Sequence, residues 1–418
     1  MGLRHILAAT LPRPIYRALL RPYHYLWAFG SAFWYGFPAR DLIVIGVTGT
    51  KGKSSVSEMI TAILEEDGHT VALSSTIRFK IGNESHPNLY KMTLPGRGFL
   101  QRFFRDAKKA GATHVVVELT SESALQYRHL FTSLNVLVFT NLAREHIESH
   151  GGIENYFSAK YRIGKELASS EKRPRAVVAN ADDSYGIRFL ELPVEESIPF
   201  SYGDAQNVVL ENESVRFTLN GTTITSPHPG VFSVMNILAA VKAATFLGVS
   251  STSCARALER LSRIPGRAEQ IDEGQNFLAV VDYAHTPDSL RALYEAYPAR
   301  RKICVLGNTG GGRDTWKRPE MGKIAEEYCH EVILTNEDPY DENPEAIVKA
   351  MAEGMEKKPR IVMDRREAIR TALSLAEEDD VVLISGKGTD PYIMGAKDEK
   401  TPWSDAQVVH EELQRRAA

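Results

Sequence analysis

The sequence predicts an α/β protein with a central, mostly parallel sheet domain and a second, C-terminal α/β domain. Three observations carry this. Strand-like apolar runs alternate with helical patterns over nearly the whole chain, a Gly-rich turn joins one such strand to a helix, and the alternation restarts after residue 264. With 418 residues, 43% of them hydrophobic and 25% charged, the chain can bury two or three cores. A net charge of −3 with both signs interspersed provides no general basic field, so no nucleic-acid partner is expected. Cys254, Cys304 and Cys329 lie far apart in or beside apolar runs, and they read as buried thiols of a reducing compartment.

Residues 1–40 form a basic, aromatic segment of their own. It carries Arg4, Arg13, Arg17, Arg21 and Arg40, and no acidic residue occurs before Asp41. Between Pro22 and Pro38 lies an uncharged run rich in Tyr, Trp and Phe. It is shorter than the ~20 residues that span a bilayer. No small-residue cleavage pattern of a signal peptide follows it. Two readings stand: a helix packed on the core of the first sheet domain, or an interfacial anchor whose arginines meet lipid phosphates.

Next, Val44-Ile45-Gly46-Val47 runs into Thr48-Gly49-Thr50-Lys51-Gly52-Lys53-Ser54-Ser55. Such a turn aims backbone N–H groups at an anion, sets an ammonium beside the β- and γ-phosphates and offers a hydroxyl to Mg²⁺. Val47 stands where the usual motif has its first Gly, so the loop is a variant. The helix it requires follows, with Val56, Met59, Ile60, Ile63 and Leu64 on one face and Gly68 as its stop. The central domain is therefore expected to be P-loop NTPase-like and to bind a nucleoside triphosphate.

Further strands are expected at 113–118, 134–140 and 175–179, then at 277–282, 302–306, 331–335 and 380–385. Residues 196–230 are polar and turn-rich. There Asn220-Gly221, between Val215–Leu219 and Thr222–Thr225, predicts a tight hairpin in an antiparallel ribbon attached to the first sheet. Arg263-Ile264-Pro265-Gly266-Arg267 breaks the pattern, which puts a domain boundary near 264 and gives segments 1–40, 41–264 and a Rossmann-like 265–418.

The chemistry-bearing residues share one position. Gly49 to Ser54, Glu118, Asn141, Asn180, Asp282, Gly307, Asn336 and Gly386 fall at or just after the C-terminal ends of expected strands, where open α/β sheets bind ligands. Two sheets facing each other there would enclose an interdomain active site. Glu118 could hold a hard metal ion beside the P-loop hydroxyl. His146 is a metal ligand or a surface histidine. Lys160, if its pKa is lowered, could add CO₂ and become an oxygen ligand for a second Mg²⁺.

The ordered motifs resemble the Mur ligase family, most closely its MurE type. They are Thr48 to Ser54, Glu118-Leu119-Thr120-Ser121, Thr140-Asn141-Leu142-Ala143-Arg144-Glu145-His146, Ala159-Lys160, Asn180 to Asp183, Pro265-Gly266-Arg267, Asp282 to Asp288, Gly312 to Pro319 and Gly386-Lys387-Gly388. The match covers about residues 42–395. It implies an ATP-dependent ligase of peptidoglycan precursor synthesis. The γ-phosphoryl of ATP passes to a carboxylate of a muropeptide-type acceptor, and the amine of an amino acid attacks the resulting acyl phosphate. The resemblance implies that Lys53 and the loop amides hold the phosphates, that Ser54 and Glu118 hold one Mg²⁺, and that His146 and carbamoylated Lys160 hold a second. It adds Arg144 to the catalytic group and sets Asn180, Asn236, Arg267, Asp282, Tyr283 and His285 around the nucleotide. Acceptor and amine contacts are implied for Thr93, Thr120, Ser121, Arg128, Arg313, Asp338, Tyr340, Lys387 and Asp390.

Departures from the family pattern bear on the substrates. The MurE type begins with a domain that grips the uridine diphosphate of its acceptor, whereas here about 40 residues precede the first strand. A lipid-linked acceptor at the inner face of the membrane is one reading, and delivery by another chain is a second. Thr93-Leu94-Pro95 stands for Thr-Thr-Pro, Thr120-Ser121-Glu122 for Ser-Ser-His, and Gly386-Lys387-Gly388-Thr389-Asp390 for Gly-Lys-Gly-His-Glu. The amine-selecting Asp-Asn-Pro-Arg reads Glu337-Asp338-Pro339-Tyr340, which disfavours diaminopimelate, because a phenol cannot replace a bidentate Arg. Lysine would suit Asp338, Asp341 and Glu342 better. The competing readings are a folylpolyglutamate-type ligase and a nucleotide switch that joins no substrates; a switch has no need of Lys160.

Overall fold

The computed structural model describes residues 13–417 except Arg97, His146, Ala299 and Arg313, with side chains from Leu19 to Arg416. The sequence reading of Arg4 as part of a basic segment therefore lies outside the described residues.

In β1 (Ile43–Thr48) the side chains alternate between two cores. Ile45 and Val47 join the one under the following helix, and Val44 joins the opposite one. A strand buried on both faces calls for parallel neighbours covered by helices. It has them in β2 (Val71–Ser74), β3 (Arg78–Ile81), β4 (Glu84–Pro87), β5 (His114–Glu118), β6 (Val136–Phe139), β7 (Ala176–Asn180) and β8 (Glu196–Phe200). These form one sheet of order β4-β3-β2-β5-β1-β6-β7-β8, antiparallel only at β3 and β4. The register Val47↔Glu118 sets Glu118 at the rim where β1 becomes the Gly-rich turn.

Residues 196–230 are corrected in one respect. Residues 196–200 continue the first sheet as a parallel strand. Only β9 (Gln206–Leu210), β10 (Val215–Leu219) and β11 (Thr222–Ser226) make an antiparallel ribbon, and it forms a sheet of its own. The hairpin is where it was expected, with Asn220 and Gly221 both at positive φ, 48° and 80°, as a type I′ turn requires.

The second sheet has order β12-β13-β17-β14-β15-β16 and is parallel apart from β12. Its strands are β12 (Glu269–Ile271), β13 (Leu278–Asp282), β14 (Lys302–Leu306), β15 (Glu331–Leu334), β16 (Arg360–Ile361) and β17 (Val381–Ser385). A small hairpin, β18 (Tyr392–Met394) with β19 (Lys400–Pro402), follows. Apolar clusters cover both faces of this sheet too.

The helices used below are α1 (Arg13–Trp34), α2 (Lys53–Glu66), α3 (Phe99–Lys109), α4 (Ile153–Ala168), α5 (Val231–Phe246), α6 (Arg365–Leu375) and α7 (Asp405–Ala417). Helix α1 carries Pro22 inside it. Among the described residues no helix is long and apolar enough to cross a membrane.

The cysteine reading is corrected. Cys304 in β14 and Cys329 just before β15 have Cα atoms 6.1 Å apart and form a disulfide, leaving Cys254 as the buried free thiol. The pairing follows from β14 and β15 being neighbours, a fact that a separation of 25 residues does not reveal. Cysteine usage therefore no longer argues for a reducing compartment.

Helices α6 and α7 are clamped by a fully buried ion pair. Arg365 donates to both carboxylate oxygens of Asp405 at 2.8 and 2.7 Å, with side-chain exposures of 1% and 0%. Asp405→Ala would strand a buried guanidinium and is expected to cost about 3–5 kcal/mol. Urea unfolding checks this, as a lowered midpoint with an unchanged slope.

Candidate active site

The phosphate-binding turn is shaped by glycines that admit no side chain. A Cβ on Gly49, at φ 145°, would lie 1.9 Å from Thr140 Oγ1, and one on Gly52, at φ 81°, would lie 2.3 Å from Asn236 Oδ1. Asn236 of α5 is thus pressed against the turn. Loop 140–143 braces it from the other side. Thr50 N donates to Asn141 O (2.8 Å), Lys51 N to Asn141 Oδ1 (2.9 Å), and Thr140 Oγ1 to Lys51 O (2.6 Å).

At the N-terminus of α2 the Ser54 hydroxyl donates to Glu118 Oε1 at 2.7 Å, and Thr76 N donates to Glu118 Oε2. Ser55 follows in the same turn and is buried. Arg267, from the second half of the chain, reaches across to put Nη2 3.3 Å from Ser54 Oγ while stacking on the Tyr283 ring. A hydroxyl and a carboxylate on one rim are the hard oxygen donors that suit Mg²⁺, so this pair fits the ion the sequence implied.

Lys53 and Lys160 converge on the same turn. Lys53 Nζ donates to Thr50 O (2.8 Å), and Lys160 Nζ, carried by α4, donates to Gly49 O (2.6 Å). Lys160 is 1% exposed and sits over the Tyr156 ring. Burial, reinforced by the charge of Lys53, pushes its pKa well below the usual lysine range. Burial also lowers Lys53, against the pull of Glu118.

Glu145 is the residue that sequence reasoning missed. Its carboxylate lies 3.1 Å from Lys51 Nζ and 2.9 Å from His285 Nε2, so it ties the phosphate loop to the second sheet. His285 Nδ1 meets Tyr283 O at 2.7 Å. Glu145 stood inside a quoted motif, but its partner is 140 residues away, which no local pattern signals. Asp282 is half-buried, and its carboxylate accepts from Ala268 N and Ala284 N (2.7 and 2.6 Å), fixing the start of this loop. Burial raises its pKa.

Other expected residues have duties within the fold. Asn180 closes a turn by accepting from Asp182 N, and Thr120 caps a short helix by accepting from Ser123 N. Ser121 Oγ lies 3.2 Å from His150 Nε2, and Thr93 Oγ1 lies 2.8 Å from Thr76 Oγ1, next to Glu118. Arg128 binds Leu94 O and Gln126, and Arg144 is exposed. His146 and Arg313 lie outside the described residues.

The acidic amine loop needs correction. Asp338 is 2% exposed and accepts from Lys387 Nζ (2.8 Å), Lys91 Nζ (2.5 Å) and Met394 N (2.8 Å). Burial alone would raise its pKa, but Lys387 and Lys91 outweigh that and hold it below the usual range. Asp390 lies 3.3 Å from each of those lysines. Asp341 accepts from Lys397 N, and Glu342 pairs with Arg318. These carboxylates are already matched inside the protein, so they do not form an open anionic pocket for lysine. Tyr340 sits at φ 52°, with its ring 5.8 Å from Lys91 Nζ.

Residues 47–244 match the Mur ligase middle domain, and residues 266–388 match the Mur ligase glutamate ligase domain. A UDP-N-acetylmuramoyl-L-alanyl-D-glutamate–2,6-diaminopimelate ligase of Caldanaerobacter subterraneus is 37% identical over 91% of this chain and 80% of its own length. A solved ligase of the same name is 28% identical, with TM-score 0.62 over 90% of this chain and 79% of that one. Mycobacterium tuberculosis folylpolyglutamate synthase complexed with ADP shares the fold alone, with TM-score 0.70 at 16% identity over 87% of this chain and 92% of that one. By class, then, the protein is an ATP-dependent, amide-bond-forming ligase. It belongs to the Mur ligase family.

Proposed function

We propose that this chain adds an amino acid to a carboxylate of a muropeptide-type acceptor through an acyl phosphate, in the cytoplasm at the inner face of the membrane. Lys53 and the amides of Gly49 to Ser55 would hold the triphosphate, with Asn180, Asn236, Arg267, Tyr283 and His285 around the nucleotide. Ser54 and Glu118 would hold Mg²⁺, which neutralises phosphoryl charge when bound. Lys160 would act as a carbamate. Its neutral Nζ bonds to the carbon of CO₂ and one proton leaves, so a cation becomes an oxygen donor. The observation that carries the reading is a lysine 1% exposed, within hydrogen-bond reach of the turn that also holds Lys53.

Release of phosphate from ATP, measured with bicarbonate present against panels of amino acids and of UDP-linked and lipid-linked muropeptide acceptors, tests it. ATP turnover that no acceptor and amine pair stimulates would overturn the proposal. In the same assay diaminopimelate is expected to give a kcat/KM about tenfold or more below that of an amine lacking the distal carboxylate, because Tyr340 offers no bidentate donor. Equal values would remove that specificity argument.

A further inference from the structure

We propose that the cleft between the C-terminal end of α1 and the loop before α3 holds the phosphate-bearing end of a polyprenyl-phosphate-linked acceptor while α1 lies on the bilayer. The acceptor role rests on the ligase reading above; the binding does not. Helix α1 has two unlike sides. His24 and Ala32 are buried, and Ser31 meets Gly98, so one side is docked on the protein. Leu19, Leu26, Phe29 and Phe33 recur at helical spacing on the other side, and with Trp34 they are exposed, Trp34 at 82%. A helix with this much outward aromatic surface, in a segment with no acidic residue before Asp41, matches a phospholipid surface in both apolarity and charge.

The same surface continues onto a second element. Leu89, Tyr90 and Met92, in the loop before α3, are 55%, 56% and 48% exposed. Between that loop and Tyr35 opens a cleft of about 350 Å³, lined by Tyr35, Tyr90, Met92, Pro95, Phe99 and Arg102 and, among the described residues, by no acidic residue. Phe79 and Phe103 back its apolar wall, with ring centroids 4.9 and 6.1 Å from Phe99. The Arg102 side chain is exposed and has no ion pair or hydrogen bond among the described residues. An apolar wall with the Arg102 guanidinium at its mouth suits an isoprenoid chain ending in phosphate.

Position links the cleft to the reaction. Tyr90 and Met92 flank Lys91, whose Nζ is 2.5 Å from Asp338, and Thr93 follows, hydrogen-bonded to Thr76 beside Glu118. An acceptor anchored at Arg102 would extend its peptide along this loop toward the metal rim.

Flotation of the full chain with phosphatidylcholine vesicles carrying either undecaprenyl phosphate or phosphatidylglycerol at equal negative charge tests the proposal. Binding about tenfold tighter to the undecaprenyl phosphate vesicles is expected. Arg102→Gln, and separately Tyr90→Ser with Met92→Ser, should remove that preference. Leu26→Ser with Phe33→Ser and Trp34→Ser should weaken binding to both vesicles. Titration with a non-hydrolysable ATP analogue shows that each variant is folded. Equal binding to the two anionic lipids, no vesicle binding, or an undiminished preference in the cleft variants would overturn the inference. The two readings fail separately, because vesicle preference is measured without turnover and amine-stimulated ATP turnover without vesicles.

Discussion

Lys160→Ala is expected to lower amine-stimulated ATP turnover about 10³-fold, and formate or acetate should restore part of it. The loss is large because the side chain stands within the phosphate turn itself, donating to Gly49 O at 2.6 Å. Restoration follows from shape, since a short carboxylate can enter the space left by the butylammonium and supply the missing oxygens. Bicarbonate should stimulate the unmodified protein and not the variant. The pH sign is set by the amine. Burial and Lys53 lower its pKa, so the nucleophilic neutral form is present well below the range of an ordinary lysine. Acidification protonates Nζ and releases CO₂, so the bicarbonate-dependent share of turnover should disappear toward low pH. Full activity of Lys160→Ala without added acid would eliminate the carbamate.

Glu118→Ala is expected to cost about 10²–10³-fold in turnover, chiefly through Mg²⁺. Glu118 is fully buried and sits where it is because β5 pairs with β1 one step before the Gly-rich turn. Its removal takes the acceptor from Ser54 Oγ and from Thr76 N, and the unsatisfied amide adds about 1–3 kcal/mol of destabilisation. Glu118→Gln separates the two effects, since it keeps an acceptor for Ser54 but not the charge. Titration of an ATP analogue with and without Mg²⁺ is the readout. Both variants should lose the gain in affinity that Mg²⁺ confers, and a gain unchanged in Glu118→Gln would assign Glu118 to the fold alone.

The strands legible in the sequence were those buried on both faces, such as Val44–Val47, Val115–Val117 and Val381–Ile384, where apolar runs leave little choice of structure. The strands missed are short or lie at edges. Glu84–Pro87 is exposed throughout, and Glu196–Phe200 is mostly so; its polar run read as ribbon, although β7 pairs with it in parallel. An edge strand is held by its neighbour's backbone, which composition does not record.

The site divides in the same way. The Gly-rich turn, Ser54, Glu118 and Lys160, which the fold brings together, were legible as candidates because they are residue types suited to phosphate and metal chemistry at strand ends and on the helices that follow. The sequence by itself determined two α/β units, a triphosphate cradle and the class of reaction. Tertiary structure alone decided that Glu145 joins Lys51 to His285, that Lys91 and Lys387 neutralise Asp338, that Cys304 meets Cys329, and that α1 turns its aromatic side outward. The physical reason is range. Hydrogen bonding and periodicity act over a few residues and leave a pattern in the chain, whereas ion pairs and exposed faces depend on which distant segments the cores bring together.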